Sequence, residues 1–476
     1  MLNKNGTALP GKIAMKISPN ILGDLGKYCD KILIITGTNG KTTTTNLINH
    51  ILNEKYSVLS NLKGSNMIQG VITPFIVDGK KHYDWGVFEV DEGSVPIVTQ
   101  YLNADYIILT NFFRDQLDRY GEVDNTLNLV KDSINFNRPN KDKQSNKIKQ
   151  TKLIINGDDP LNLNFKDLKN DKIYFGVLKN SYSKDKLTVT ESIFCSNCGK
   201  RLEYEYFNYG NIGKFECPNC LQTNPQLDYY VNFINNINNE QYEFKVKVNK
   251  KIKTFNVSSY DINEDNVNND EIEENNDIDS YFSNEILFTF KYLGIYNIYN
   301  CIAAIAFSFE IGLSYTYIKN KLETFDYKLG RMETIKLKDK EVILILSKNP
   351  VGLSEVLSTI IHDKRKKSVM FILNDEKADG QDISWIWDSD VEQIAKSISI
   401  KEFYASGMRS EEVALRLKYA GFDIDKIKTY SSSNGDNIRK SIMDLVKNGE
   451  KRIYVIGTFT AMPKARKILI ELSNHK

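Results

Sequence analysis

Six consecutive residues, Gly37-Thr38-Asn39-Gly40-Lys41-Thr42, join two glycines to a lysine and a hydroxyl, a set suited to gripping phosphate. Glycines let backbone amides approach an anion with no Cβ in the way, and a helix starting at once would add the positive end of its dipole. On this reading Lys41 reaches the β- and γ-phosphates and the Thr42 hydroxyl binds Mg²⁺, while Gly37, Thr38, Asn39, Gly40 and Thr43 complete the cofactor-binding loop. The loop is shorter than the common GxxxxGK[ST] form, because no glycine opens the longer spacing. A carboxylate must complete the metal site. Glu89, Asp91 and Glu92 in FEVDEGSVP follow a strand that starts at Trp85, where ligands of open α/β sheets collect, and Glu89 is assigned to Mg²⁺. Asp115, Gln116 and Asp118, in TNFFRDQLDRYGE, add polar groups at the end of the next strand.

A second constellation is made of sulfur. Cys195-x2-Cys198 and Cys217-x2-Cys220 have zinc-ribbon spacing, and four thiolates around Zn²⁺ leave no open coordination position, so the expected role is structural. The residues between them, RLEYEYFNYGNIGKFE, are aromatic and of mixed charge, which argues against a nucleic-acid-binding stripe. Cys29 and Cys301 read as small packed residues. Histidine chemistry has only His50, His82, His362 and His475 to draw on.

The elements that must position these groups alternate. Strands are expected at 31–36, Trp85–Val90, Tyr106–Thr110, Leu153–Ile155 and Lys172–Phe175, with an amphipathic helix over 42–54, a pattern that predicts a parallel α/β sheet. A helical pattern returns at Tyr296–Leu313. Strands at Val342–Leu346, Val369–Leu373, Phe403–Ala405 and Ile453–Ile456, with helices near 352–361, 391–398, 410–420 and 437–447, predict a second α/β domain. The expected organisation is an N-terminal extension over 1–30, a central ATP-binding domain over 31–330 and a C-terminal domain over 335–476. The central domain would carry a ribbon insertion at 190–225 and a disordered acidic, asparagine-rich insertion at 257–285. A chain of 476 residues, 41% of them hydrophobic, can bury two such cores. Its net charge of +2 supplies no global field toward nucleic acid or membrane. No eighteen-residue apolar run and no signal-peptide pattern is present, so a soluble cytoplasmic protein is expected.

These stretches together resemble the Mur ligase superfamily, whose members use ATP to turn a carboxylate into an acyl phosphate and couple it to an amine. GTNGKTT is similar to its phosphate loop, and NFFRDQLD to its N-x-x-x-D-H-L-D segment with Gln116 in the histidine place. GIYNIYNCIAA is similar to the segment whose asparagines, here Asn297 and Asn300, approach the adenine. LGRMET is similar to the junction whose arginine, here Arg331, contacts the nucleotide. The resemblance implies a central P-loop ATPase domain followed by a Rossmann-like C-terminal domain. Within the superfamily, GTALPGKIAMKISPN, FRDQLDRYGEVD, the cysteine cluster, SKNPVGLSEVL and LNDEKADGQDISWIWD resemble the MurT branch, the synthetase-like subunits of lipid II isoglutaminyl synthase. With the phosphate loop so close to the first residue, the usual N-terminal UDP-sugar domain is not expected, and a lipid-linked acceptor is expected instead.

The sequence departs from the wider superfamily at D-x-A-H-N-P, where Ile345 and Lys348 replace the aspartate and histidine. Such departures accompany the use of ammonia, which needs no groups to hold an acceptor carboxylate. The branch therefore implies amidation of the D-glutamate α-carboxylate in lipid II and a GatD-like glutamine amidotransferase as partner. An aspartate of the C-terminal domain would complete the partner's triad. Asp382 is favoured, Asp388 is second, and Asp379 is the remaining candidate. Trp385 and Trp387 read as an interface or core edge. The competing readings are an amino-acid-adding ligase of Mur or folylpolyglutamate type, and a zinc-ribbon nucleic-acid-binding ATPase.

Overall fold

The computed structural model describes residues 8–62, 65–113, 123–135, 140–141, 148–186, 194–237, 241–249, 285–326, 331–432 and 437–474. Asp115, Gln116 and Asp118 lie outside these residues, as does all of the acidic 257–285 stretch except Glu285.

β1 (Cys29–Thr36) carries Ile32, Leu33, Ile34 and Ile35, all buried, as a central parallel strand covered on both faces requires. It is followed by β2 (Val58–Ser60), β3 (Tyr83–Glu89), β4 (Tyr106–Leu109), β5 (Lys152–Asn156) and β6 (Lys172–Val177). β7 (Glu203–Tyr209) and β8 (Ile212–Glu216) form a separate antiparallel hairpin, and β9 (Tyr229–Ile237), β10 (Gln241–Val248) and β11 (Glu285–Phe290) return to the main sheet. The nine strands of that sheet run in the order β11-β10-β9-β6-β5-β4-β1-β3-β2. Pairing is parallel from β2 through β9, and antiparallel from β9 to β11. The sequence reading missed this antiparallel edge, because the alternation in YYVNFINNI and QYEFKVKV is interrupted by asparagines and the third strand follows the acidic stretch. Glu285, assigned to that stretch, opens β11 opposite Lys247.

Two layers of helix cover the sheet. α1 (Leu9–Ile17) lies against α3 (Ile68–Asp78), close enough that the Gly11 amide donates to Thr73 Oγ1 at 3.1 Å. On the opposite face lie α2 (Lys41–Leu52) and α4 (Ile295–Glu310). α4 is apolar apart from Asn297 and Asn300 in its first turns and Ser308 and Glu310 near its end, and nearly every residue from Ile295 to Phe309 is buried, as befits a helix enclosed between sheet and neighbours.

A second sheet is built from β12 (Arg331–Leu337), β13 (Lys340–Leu346), β14 (Lys367–Ile372), β15 (Ile400–Ser406), β16 (Ile427–Thr429) and β17 (Arg452–Gly457), in the order β12-β13-β17-β14-β15-β16. Only β12 runs antiparallel. The helix expected over 391–398 is a single turn, Glu392–Ala395, since Ile400 already begins β15. α5 (Pro350–His362) follows β13, capped by Asn349, whose Oδ1 accepts from the Gly352 amide at 2.7 Å, with proline at its first position. This helix faces the first sheet and, with the phosphate loop, frames the site.

Candidate active site

Strand register decides what surrounds the loop. Ile35 pairs with Glu89 on β3 and Thr36 pairs with Leu109 on β4, so the chain leaves β1 between an acidic strand end and Thr110-Asn111. This is the topological switch point of the sheet, where strand order reverses. Gly37 and Gly40 have φ of +119° and +88°, which side chains with a Cβ rarely adopt. A Cβ on Gly37 would also collide with Thr110 Oγ1, and one on Gly40 with Asn300 Oδ1. The loop is clamped from β4: the Thr38 amide donates to the Asn111 carbonyl at 2.7 Å, the Asn39 amide to Asn111 Oδ1 at 2.9 Å, and Thr110 Oγ1 to the Asn39 carbonyl at 2.8 Å. α2 begins at Lys41 with Thr42 and Thr43 in its first turn, so its open amides face the cradle.

Lys41 is buried and its Nζ donates to Glu92 Oε2 at 2.8 Å, to the Thr38 carbonyl at 3.3 Å and to the Gly37 carbonyl. Burial alone would lower its pKa, but the carboxylates of Glu92, Asp91 and Glu89 offset that and hold the ammonium charged. Burial likewise pushes the Glu92 carboxyl up, and the charges of Lys41 and Lys348 more than reverse it. Glu92 is thus the counter-ion of the loop lysine, a role that a short acidic run does not distinguish from the neighbouring Asp91. Glu89 ends β3 inside the fold. Its backbone is held by Asn61 at 2.8 and 2.9 Å, and its Oε1 accepts from Asn66 Nδ2 at 3.4 Å. With the Thr42 hydroxyl next to Lys41, the oxygen donors here suit a hard divalent cation.

A cleft opens from the loop toward the second sheet. Asn39, Gly40 and Thr43 line one side, and Asn297 and Asn300, from the first turns of α4, line another. Asn300 is also in reach of α2, accepting from Thr44 Oγ1 at 3.4 Å. The opposite wall comes from the C-terminal sheet and α5, including Met332, Ile345, Val351 and Glu355. Arg331 opens β12 opposite Ile345, and a register shift follows it at Met332, whose φ is +61°. The two lobes touch at the loop itself, where Asn349 Nδ2 donates to Asn39 Oδ1 at 2.9 Å. Asn349, Glu355 and Tyr209 belong to this site, yet sequence reasoning assigned none of them a role; each depends on contacts between distant segments.

Tyr209 comes from the cysteine-bearing segment. The four sulfurs lie within 4.8 Å of one another, with Cys195 to Cys220 and Cys198 to Cys217 both at 3.5 Å. A tetrahedron of Zn–S bonds of about 2.3 Å would space sulfurs about 3.8 Å apart, so the cluster fits such an ion closely. Each knuckle folds alike: the Gly199 amide donates to the Cys195 carbonyl at 2.8 Å, and the Leu221 amide to the Cys217 carbonyl at 2.9 Å. Leu221 adopts φ +58° where its counterpart Gly199 has +70°. The β7–β8 hairpin carries this cluster's small core inward, and at its tip Tyr209 lines the cleft and accepts from Asn111 Nδ2 at 3.3 Å.

The aspartates expected to serve a partner lie outside the cleft lining. Asp379 is buried and accepts from the Thr460 amide at 2.7 Å and Thr460 Oγ1 at 2.5 Å, so it acts as an internal brace. Asp382 is exposed and caps a turn by accepting from the Ser384 amide at 2.8 Å, and Asp388 is exposed as well. Trp387 is 45% exposed, with Arg416 over its ring. Cys29 and Cys301 are both buried, and burial pushes the Cys29 thiol up to about 12 and Cys301 well above its ordinary value, which removes thiolate reactivity.

Comparison with known proteins agrees with this geometry. The Mur ligase middle domain matches residues 35–224, and the MurT ligase C-terminal domain matches 346–462. The MurF ligase of Thermotoga maritima, solved in complex with ADP, superposes with a TM-score of 0.60 at 13% identity, covering 100% of this chain and 86% of that one. Fold and site together define a Mur-ligase-type protein. A Staphylococcus aureus (strain COL) chain named lipid II isoglutaminyl synthase (glutamine-hydrolyzing) subunit MurT is 34% identical over 431 residues, covering 89% of this chain and 85% of that one. The subunit of the same name from Streptococcus pneumoniae (strain ATCC BAA-255 / R6) is 33% identical, covering 98% and 92%. The chain belongs to the MurT family.

Proposed function

We infer that this chain is the ATP-dependent amidating subunit of a lipid II isoglutaminyl synthase in peptidoglycan synthesis, converting the α-carboxylate of D-glutamate in lipid II to the amide of D-isoglutamine. The observation that carries this reading is the phosphate cradle of Gly37 to Thr43 with buried Lys41, set in a chain that matches MurT subunits over most of its length. A carboxylate resists attack by ammonia because its oxygen is a poor leaving group. In the first step a carboxylate oxygen attacks the γ-phosphorus of ATP and ADP departs, giving the acyl phosphate. In the second, ammonia nitrogen attacks the carbonyl carbon, phosphate leaves, and a proton is lost from nitrogen.

Lys41 and the α2 amides stabilise charge on the transferring phosphoryl group, and the Asn111 clamp fixes the loop so that little reorganisation is needed. Thr42 and Glu89 would hold Mg²⁺, which supplies further charge neutralisation there. Cys195, Cys198, Cys217 and Cys220 would hold a structural Zn²⁺ that braces the hairpin carrying Tyr209. Asn297 and Arg331 serve nucleotide binding.

Ammonia at neutral pH is mostly ammonium, so a donor is required, and the inert Cys29 and Cys301 point to its being another chain. That partner is a GatD-like glutamine amidotransferase forming a heterodimer, with exposed Asp382 or Asp388 orienting its catalytic histidine. No helix among the described residues is long and apolar enough to cross a membrane. The chain works from the cytoplasmic side on a lipid-anchored substrate. The test is amide formation by the purified chain. With ATP and a high ammonium concentration it should make product, with glutamine it should not, and adding the amidotransferase should restore the use of glutamine. Hydrolysis of glutamine by the chain alone would refute the division of labour.

A further inference from the structure

The motif GTALPGKIAMKISPN takes no part in the chemistry above, and its helix is built inside out. α1 turns Pro10, Gly11 and Ala14 inward, and a Cβ on Gly11 would collide with the Gln69 carbonyl, so small residues let the helix lie close on α3. The large aliphatic residues point the other way: Leu9 is 53% exposed, Ile13 40% and Ile17 80%. Spaced four apart, they form one stripe along the helix. A surface helix normally buries such a stripe. α3 adds Ile76 and Val77, both exposed, in its last turn. Single exposed aliphatic side chains are ordinary, whereas a row of three, with two more on the helix it packs against, marks a surface made to be covered.

Charge narrows what covers it. Lys12 and Lys16 are exposed on α1 beside the stripe, and no acidic residue occurs from Ala8 to Gly23. Lys80 and Lys81, both exposed, follow the end of α3, whose one acidic residue, Asp78, accepts from the Tyr83 hydroxyl at 2.5 Å. The chain as a whole carries only +2, so this basic, apolar face is a local feature. A short helix that lays aliphatic side chains outward between lysines matches the boundary of a bilayer, where the apolar stripe enters the acyl region and ammonium groups meet phosphates. Its position also suits that occupant. Gly11 rests on the first turns of α3, which starts just after Asn66, the residue that donates to Glu89 at the catalytic edge. We propose that the outer face of α1, with the end of α3, docks this lobe onto an anionic phospholipid bilayer. The proposal deepens the reading that the acceptor is lipid-anchored, because the face holds the cradle close to the plane from which the acceptor's peptide rises.

Flotation of the full-length chain with vesicles provides the test, using phosphatidylcholine alone and phosphatidylcholine mixed with phosphatidylglycerol. Wild type should float with the mixed vesicles, bind the neutral ones roughly tenfold or more weakly, and release as salt rises. Ile13→Gln with Ile17→Gln, and separately Lys12→Gln with Lys16→Gln, should each weaken mixed-vesicle binding by roughly tenfold or more. Both variants should unfold near the wild-type temperature, since the replaced side chains are exposed, and should amidate a short-chain, water-soluble lipid II analogue with ammonium at the wild-type rate. Their activity on full-length lipid II in mixed vesicles should fall with the binding. Absence of wild-type flotation, equal binding to the two kinds of vesicle, or flotation unchanged in either variant would overturn the proposal. So would wild-type self-association without vesicles that Ile13→Gln with Ile17→Gln abolishes, or loss of the amidotransferase subunit from that variant, since a protein would then cover the stripe. Mixed-vesicle binding by a wild type that amidates neither acceptor would uphold the membrane face and overturn the functional reading instead.

Discussion

At the level of single residues, the site is a set of buried charges arranged around one loop. Lys41 and Glu92 form a pair with both side chains nearly enclosed, and such a pair is held by mutual attraction in a medium that penalises either charge alone. Lys41→Ala should therefore reduce amide formation by at least about 10²-fold with ammonium or glutamine as nitrogen source, because the lost donor acts on the phosphoryl group and not on ammonia delivery. Product assays with both donors check this. The three aspartates of ADGQDISWIWD separate by environment. Asp382→Ala should abolish glutamine-dependent amidation in the complex yet leave ammonium-dependent amidation intact. Asp379→Ala should instead lower stability by about 1–3 kcal/mol, since it strips partners from Thr460, a loss that urea unfolding would read. Equal loss of both activities in Asp382→Ala would remove that residue from the partner's site.

Elements explain what the sequence could and could not disclose. The phosphate loop was legible because its demands are local: two glycines with positive φ, then a helix start. The cysteine knuckles were legible for the same reason, the spacing being set by a single tight turn repeated at Gly199 and Leu221. Glu92, Asn349, Tyr209 and Glu355 were not, because a one-dimensional pattern does not say which acidic residue meets a lysine fifty-one positions away or which tyrosine a hairpin tip presents. The β7–β8 hairpin makes its cluster matter to the site. Replacing Cys195 and Cys217 by serine should eliminate bound zinc, measured by elemental analysis, and weaken nucleotide binding through loss of the Tyr209 contact, measured by calorimetry. α5 is tied down at its far end by Asp363, fully buried, which accepts from Arg365 Nε at 2.9 Å and Tyr454 OH at 2.7 Å. Burial alone would raise this carboxyl; hydrogen bonds from Arg365 and Tyr454 hold it at about 2. Its ionised form is favoured on folding, so its contribution is complete above about pH 4, the value for an unfolded aspartate, and is lost as pH falls toward 2. Asp363→Asn should flatten the acid side of the stability curve followed by circular dichroism. An unchanged acid limb would mean that other carboxylates govern it.

On the scale of the whole molecule, two α/β lobes meet across the nucleotide cleft, and the contact between Asn39 and Asn349 ties the loop of one to the helix cap of the other. The proposed acid activation belongs where they meet, whereas Asp382, Asp388 and Trp387 of the C-terminal lobe are exposed and outside the cleft lining, open to a second chain. Under the proposed function the labour is divided: this chain makes the electrophile and a partner subunit makes the nucleophile. The claim beneath all of this is that the cradle around Lys41 turns the acceptor acid into an acyl phosphate. Placing heavy oxygen in the acceptor carboxylate and following it by mass spectrometry during ammonium-dependent turnover tests that claim most directly. One labelled oxygen should pass to inorganic phosphate for each amide formed, and phosphate recovered without label would contradict the account.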